Sequence, residues 1–388
     1  MVNRLEKTIS KERWSSAVTN YLHCLNLPEH SSILILTDLI PPIMKTPPDP
    51  NLLVRRGMAE KLNTKLSQEI FYHDYYVGLG EYDRSMTQGD FYDKTKDYLE
   101  QLGNAAGRKK SVVTVIYLGD EYSGRQGIYY AASDFGKDRK VRIANSLGFS
   151  AGDCLLLADM DTSKLYRIKE QVGYFDNFFN EHPRGVFNVL TEDNEKKTYS
   201  LRLGYDVSKA PFVNDLARFG EGHTRKYINA EYANIPGGET YAAPYPYQSV
   251  HGHFFADNLL FTVENGLVTV VGPDYIPAES FEPSQRELIR LIRSGLYLPV
   301  AELGIGFHEL AGIQAYPGSS MLSRERIGPH IGIGQATSPT DEDSLIKAST
   351  RTSSFFHADF VLPTNPIIYW NDSQMNPNNR IKFYPPPK

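Results

Sequence analysis

The stretch Ser111–Leu118, which reads SVVTVIYL, decides the fold class of this chain. After its first residue it is a continuous run of apolar and β-branched residues that ends at Gly119. Two further short runs of this kind lie at Ser32–Thr37 and Cys154–Ala158. Strands that are apolar without alternation are typical of a parallel sheet covered on both faces. We therefore predict three strands of such a sheet at these positions.

Segments with helical periodicity separate the predicted strands. They lie at Leu53–Ile70, Phe91–Leu102, Asp138–Leu147 and Tyr166–Phe179, and Ile70–Val77 has the pattern of a further strand. Alternating strands and helices predict an α/β domain with a mostly parallel sheet. The turns after the predicted strands lack the glycine patterns of dinucleotide-binding folds and of P-loops, which argues against both kinds of site.

At about residue 184 the pattern changes from alternating strands and helices to hairpins. One hairpin is predicted at Val186–Leu203, and a later one turns at Asn265-Gly266, a pair that supplies the positive φ of a tight turn. A chain of 388 residues is also longer than a single core usually allows. We predict an α/β domain at residues 1–183 and an α+β domain, carrying a metal site, at residues 184–388.

The bulk composition predicts a cytoplasmic protein without nucleic-acid or membrane partners. The net charge is −5 and no basic stripe stands out, whereas nucleic-acid-binding surfaces are basic. No run of about 18 apolar residues occurs, although a membrane-spanning helix needs one. The two cysteines, Cys24 and Cys154, lie far apart among apolar residues, and we expect two buried thiols in a reducing compartment.

The residues that indicate chemistry lie in the second half of the chain. His357 and Asp359 are two positions apart on a predicted strand, so their side chains point to one face. Glu239, Glu302 and His330 lie earlier, in turns flanked by glycine. Together they offer mixed nitrogen and oxygen donors, which suit one or two divalent ions such as Zn, Co, Mn or Fe(II).

Four short segments hold these residues, and three of them are rich in glycine: residues 234–240 (NIPGGET), 301–308 (AELGIGFH), 328–334 (GPHIGIG) and 356–360 (FHADF). Glycine lets the backbone approach closely, which a compact coordination sphere needs. Flanking apolar residues keep such a site dry and hold its ligands. The four segments together therefore predict a metal site more strongly than any one of them does.

These segments resemble the metal-ligand motifs of the aminopeptidase T and aminopeptidase S family of dinuclear metallo-aminopeptidases. In that family five ligands come from a Pro-Gly-Gly-Glu turn, a Glu-Leu-x-Ile-Gly turn, a His-Ile-x-x-Gly turn and a His-x-Asp strand. The matching residues, in the family order, are Glu239, Glu302, His330, His357 and Asp359. The resemblance covers roughly residues 185–365. It implies a homodimer that hydrolyses a peptide or amide bond next to a free amino terminus.

In this interpretation the ions activate a water and polarise the scissile carbonyl. Glu302 is the first candidate for the general base and Glu239 the second, and either His308 or Arg324 is a candidate for stabilising the oxyanion. The sequence departs from the family where a tyrosine is expected seven residues after the third-motif histidine, because Thr337 stands there. We therefore expect a specialised substrate, a peptide or an amino-acid-derived small molecule such as a biosynthetic intermediate.

Two other functions are compatible with the same residues. The 2,5-dihydroxypyridine dioxygenase family resembles these aminopeptidases but uses one Fe(II), and here His330, His357 and Asp359 would form its two-histidine, one-carboxylate set. That family has a histidine where this chain has Glu302, which favours the peptidase-type set. The third function is a non-catalytic relative that binds a ligand. Against it stands the cost of burying so many charged groups without a purpose.

Overall fold

The computed structural model describes residues 9–39, 50–73, 76–83, 86–105, 112–120, 126–216, 218–219, 225–227, 229–272, 281, 283–308, 324, 326–334, 357–362, 366–372 and 380–384. The chain forms two compact units. The first comprises residues 1–168, 215–238 and 313–324, and the second comprises residues 169–214, 239–312 and 325–388.

The first unit is an α/β unit built on a parallel sheet. Its elements are α1 (Lys11–Leu25), β1 (Ser32–Asp38), α2 (Pro50–His73), β2 (Tyr76–Tyr82), α3 (Gln88–Ala105), β3 (Val113–Leu118), α4 (Gln126–Phe135), β4 (Val141–Asn145), α5 (Ala151–Asp159), β8 (Arg225–Tyr227), β9 (Ala230–Asn234) and the first residues of α6 (Thr162–Glu181). The strand order is β2-β1-β3-β4-β9-β8, and only β8 is antiparallel to its neighbour.

Alternate residues of the buried strands enter two different cores, one on each face of the sheet. In β1, Ile33 and Ile35 belong to one hydrophobic cluster, whereas Leu34 and Leu36 belong to the other. Every position of β1 and β3 is buried. The predicted parallel sheet with two covered faces is therefore confirmed, because side chains of a strand alternate between its faces.

Three local predictions in this unit are wrong. Cys154–Ala158 lies in helix α5 rather than in a strand, because Ser150 and Asp153 form a capping box that starts the helix. The predicted helix Asp138–Leu147 contains strand β4, whose five residues are all buried between β3 and β9. The strand predicted to begin at Ile70 begins at Tyr76, because α2 continues to His73.

The buried-thiol prediction is confirmed: Cys24 and Cys154 are both buried and free. Burial raises the pKa of each thiol to about 12. Within the described residues, none of the helices is both long and apolar enough to cross a membrane.

The second unit is dominated by an antiparallel sheet. Its elements are the rest of α6, then β5 (Arg184–Glu192), β6 (Thr198–Asp206), β7 (Val213–Asp215), β10 (Glu239–Ala242), a 3-10 turn (Tyr247–Ser249), β11 (His251–Ala256), β12 (Leu259–Glu264), β13 (Leu267–Gly272), α7 (Pro283–Arg293), β14 (Leu298–Gly306), β15 (Pro329–Gly334), β16 (His357–Val361), β17 (Ile367–Asp372) and β18 (Ile381–Tyr384). The sheet order is β16-β15-β14-β13-β12-β11-β6-β5-β17-β18, and β10 pairs with β14 and β7.

Both predicted hairpins occur in this sheet. Strands β5 and β6 pair over their full lengths. Strands β12 and β13 join through Asn265 and Gly266, with φ values of 50° and 81°. The later segment Ala230–Asn234 departs from the predicted pattern, because it pairs parallel to β4 and so completes the first unit's sheet although it lies beyond residue 184.

Candidate metal centre

Four neighbouring strands bring the predicted ligand residues to one place. Strand β10 pairs with β14, β14 with β15, and β15 with β16, all antiparallel. In this register Glu302 lies opposite Gly332, and Gly332 lies opposite Asp359. His330 lies opposite Gly304 in the next row. Each ligand position is thus next to a glycine or another ligand on the neighbouring strand.

The glycines leave the space that the ligand side chains fill. A Cβ atom on Gly304 would lie 2.1 Å from His330 Nε2 and 2.2 Å from its Cε1. A Cβ atom on Gly332 would lie 2.7 Å from His357 Cε1 and 2.9 Å from Asp359 Oδ1. Neither glycine has a left-handed φ, so the requirement is for room rather than for an unusual backbone conformation.

Glu302, His357 and Asp359 form the compact part of the centre. One donor atom from each lies within 4.8 Å of the other two. His357 Nε2 is 3.1 Å from Asp359 Oδ1 and 4.0 Å from Glu302 Oε2. A buried group of two carboxylates and an imidazole can hold a divalent metal ion, because buried charges of one sign need a cation and these donors suit one.

His330 connects this group to Glu239. Its Nε2 atom lies 3.3 Å from Glu302 Oε1, 4.0 Å from Asp359 Oδ1 and 3.8 Å from Glu239 Oε2. Glu239 Oε2 also receives the Nη1 donor of Arg326 in an ion pair. The centre therefore has two ends, with His330 between them. We call the pair of Arg326 and Glu239 the deep end, and the group of Glu302, His357 and Asp359 the outer end.

Side-chain exposure rises from the deep end to the outer end. Arg326 is 0% exposed and Glu239 is 2% exposed. The exposed fraction is 5% for Glu302, 10% for Asp359 and 18% for His357. His357 and Asp359 are therefore the most exposed of the candidate ligands.

Helix α7 and the β11–β12 turn hold the strand that carries Asp359. Gln285 is fully buried, and its Nε2 donates to the backbone carbonyl of Asp359 at 2.7 Å and to Asp257 Oδ2 at 3.1 Å. The same carboxylate oxygen accepts the backbone N–H of Val361 at 3.2 Å. Gln285 and Asp257 therefore fix β16 on both sides of Phe360, which limits movement of the Asp359 side chain.

A buried tyrosine supports strand β10, which carries Glu239. The Tyr205 hydroxyl donates to the backbone carbonyl of Ala242 at 2.9 Å, at the end of β10. Burial and then the negative charge of Glu302 raise the pKa of Tyr205 well above its ordinary value. The phenol therefore stays neutral and keeps this hydrogen bond throughout the neutral pH range.

The five predicted ligand residues thus lie in one cluster, although ligation itself stays a prediction. His308 is buried just beyond β14, and its backbone N–H donates to the Arg326 carbonyl at 2.9 Å. Its predicted role at the oxyanion is a prediction still. Thr337 lies outside the described residues.

Sequence reasoning missed the residues that support the candidate ligands, and Arg326 and Gln285 are the two with the closest contacts. Arg326 stands four positions before His330, at the start of a Gly-Pro turn, and a cation so close to a ligand motif was the available signal. Gln285 carries no such signal in the sequence, because a glutamine in the first turn of a helix is ordinary.

Comparison with known proteins adds no assignment to this geometry. No protein-family model matches the chain, and neither the curated proteins nor the solved structures contain a significant match.

Proposed function

We propose that this chain is a metal-dependent hydrolase that cleaves a peptide or amide bond next to a free amino terminus. The observation that carries the proposal is the meeting of Glu302, His357 and Asp359 at the more exposed end of a buried cluster. The resemblance of the four motifs to the aminopeptidase T and aminopeptidase S family supports the same activity. A homodimer and a cytoplasmic location belong to this proposal as well.

Glu302, His357 and Asp359 would hold the ion, with His330 as an adjoining donor. A divalent ion bound there supplies Lewis acidity, which polarises a carbonyl and acidifies water. The general base can come from the cluster itself, because Glu302 is a carboxylate. Glu302 Oε2 faces the more exposed His357 at 4.0 Å, and Glu302 Oε1 faces the buried His330 at 3.3 Å. We assign Oε2 as the oxygen that accepts a proton from water.

An ion at the outer end suits a free amine. Among the described residues, Glu302 and Asp359 are the acidic side chains there, and both are assigned to the ion. The nitrogen of a free α-amine can bind the ion, whereas an acylated nitrogen is a poor donor. This supports an amino-terminal substrate, either a peptide or an amino-acid-derived small molecule.

The test uses chelator-treated protein that is reloaded separately with Zn, Co, Mn or Fe(II), the last under anaerobic conditions. Release of the N-terminal residue is measured on a panel of dipeptides and aminoacyl amides, with N-acetylated versions as controls. We expect release from the free-amine substrates with at least one metal. The Glu302→Gln variant should lose activity by at least about 100-fold, whereas Glu264→Gln, at an exposed position of β12, should keep it. A metal-loaded protein without activity on any free-amine substrate would contradict the proposal.

A mononuclear Fe(II) oxygenase is the second candidate. The observation that favours it is the placement of His330 and His357 at 4.0 Å and 3.1 Å from the same oxygen of Asp359, since two histidines and one carboxylate are the donor set of such enzymes. Oxygen uptake by the Fe(II)-loaded protein with a dihydroxypyridine, and no peptide cleavage, would favour it. A protein that binds no metal would leave only a non-catalytic ligand-binding function.

A further inference from the structure

Arg326 is a buried cation that belongs to the metal centre. Its side chain is fully buried, and it pairs with Glu239 through Oε2, the carboxylate oxygen that also lies 3.8 Å from His330 Nε2. If Glu239 and His330 bound the same ion, Glu239 would use Oε2, the oxygen near His330 Nε2. That oxygen is already paired with the guanidinium of Arg326. Glu239 also lies outside the compact group of donors found among the described residues.

The backbone fixes Arg326 in this position. Its carbonyl accepts the N–H of His308 at 2.9 Å, and the carbonyl of Gly328 accepts the N–H of Gly306 at 3.1 Å. These bonds continue the pairing of β14 and β15 beyond the regular strands. Arg326 thus belongs to the same pair of strands that carries Glu302 and His330, and backbone hydrogen bonds hold it next to them.

Counting charges distinguishes one ion from two. Among the described residues of the centre, Glu239, Glu302 and Asp359, counted as ionised, carry −3, and Arg326 carries +1, which leaves −2 when both histidines are neutral. One divalent ion balances that charge. A second divalent ion would leave an excess positive charge in a buried place, which is costly.

We propose that Arg326 takes the cationic role of a second ion and that the centre holds one metal ion per chain. This inference rests on the proposed function, because it assumes that a divalent ion binds here. It deepens that function by assigning Glu302, His330, His357 and Asp359 to the ion and Glu239 to the arginine. Glu239 then acts as a positioning residue for Arg326 and His330 rather than as a ligand.

The test measures metal stoichiometry, which does not depend on activity. Chelator-treated wild-type protein is titrated with Mn(II) by calorimetry, and the loaded protein is measured by elemental analysis. Electron paramagnetic resonance then separates an isolated Mn(II) ion from an exchange-coupled pair. We expect one ion per chain with the signal of an isolated ion. Two ions with a coupled signal would overturn the inference and leave the proposed function intact, whereas no bound ion would overturn both.

Three variants assign the residues. The double variant Glu239→Gln with Arg326→Met removes both charges of the deep end and keeps −2 at the outer end, so we expect one ion and an affinity within about tenfold of the wild type. Glu302→Gln should bind no ion. Arg326→Met alone leaves the three carboxylates with no arginine to balance part of their charge, and we expect this variant to bind two ions. A folded Arg326→Met protein that binds one ion would overturn the role assigned to Arg326. The single variant removes the arginine partner of a buried carboxylate. If it does not fold, the affinity of the double variant decides whether Glu239 is a ligand, because the loss of a ligand would lower that affinity by more than about tenfold.

Discussion

The parallel sheet of the first unit and the ladder of β14–β16 in the second unit are buried to a similar degree but contain different residues. Every described position of β1, β3, β14 and β15 is buried. In β1 and β3 most side chains on both faces are aliphatic or aromatic and belong to two cores. In the second ladder, candidate ligand residues and glycines lie side by side on one face, around Glu302, His330 and Asp359. Burial therefore does not distinguish a scaffold strand from a site strand, whereas the alternation of ligand and glycine does.

This difference shows what a buried polar site requires from its sheet. The imidazole of His330 lies over Gly304, and that of His357 lies over Gly332. On a strand with ordinary side chains, these rings would have no space on the face of the sheet. The opposite face of the same strands carries Leu303, which is fully buried, as a scaffold residue would be. One face of the ladder serves packing, and the other carries the cluster of candidate ligands.

The largest expected effect comes from filling one of these glycine positions. We expect Gly304→Ala to fold but to lose metal binding by at least about 100-fold, because its Cβ would meet the His330 ring at 2.1 Å and displace it. Calorimetric titration with Mn(II) measures the loss, and circular dichroism checks the fold.

A glycine of the parallel sheet provides the matched control. A Cβ on Gly78, in β2, would have its nearest contacts at 3.6 Å with Leu102 and Leu34, which is ordinary packing. Gly78→Ala should keep the metal affinity of the wild type. Equal affinities in the two variants would show that His330 does not depend on the space over Gly304, and the distinction between the two sheets would lose its basis.

A smaller effect is expected from removing the hydrogen bonds that support β16. Gln285→Leu removes the hydrogen bonds to the Asp359 carbonyl and to Asp257, and we expect metal affinity to fall by about 10- to 100-fold, as is usual when a residue that positions a ligand is lost. Gln101→Leu, at an exposed position of α3 in the first unit, is the control. Both are measured by the same titration. An unchanged affinity in Gln285→Leu would mean that β16 needs no support from α7.

The sequence indicates which residues cluster at the candidate site more clearly than it indicates the strands and helices of the scaffold. The ligand residues carry their own local signal, because a histidine and an aspartate two apart, or a glutamate and a glycine two apart, mark one face of a strand. The run Cys154–Ala158 carried no such signal, since a short apolar run is compatible with a helix or a strand, and the capping box at Ser150 decides it. Arg326 was missed because its pairing with Glu239 joins residues 87 apart in the chain.

The smallest expected effect concerns a buried polar group in the parallel sheet that takes no part in chemistry. Thr114 lies in β3, is fully buried, and its Oγ1 makes no hydrogen bond within the described part of the chain. A buried hydroxyl without a partner costs free energy, so Thr114→Val should raise the free energy of unfolding by about 1 kcal/mol. Urea denaturation measures this change, and metal affinity should not change. A loss of stability would show that the hydroxyl has a hydrogen-bond partner. Buried polar groups would then need partners in the parallel sheet as well as in the ladder of β14–β16. The expected gain would instead mean that the parallel sheet tolerates an unpaired polar group at a modest cost, whereas the polar side chains of the ladder of β14–β16 lie in contact with one another.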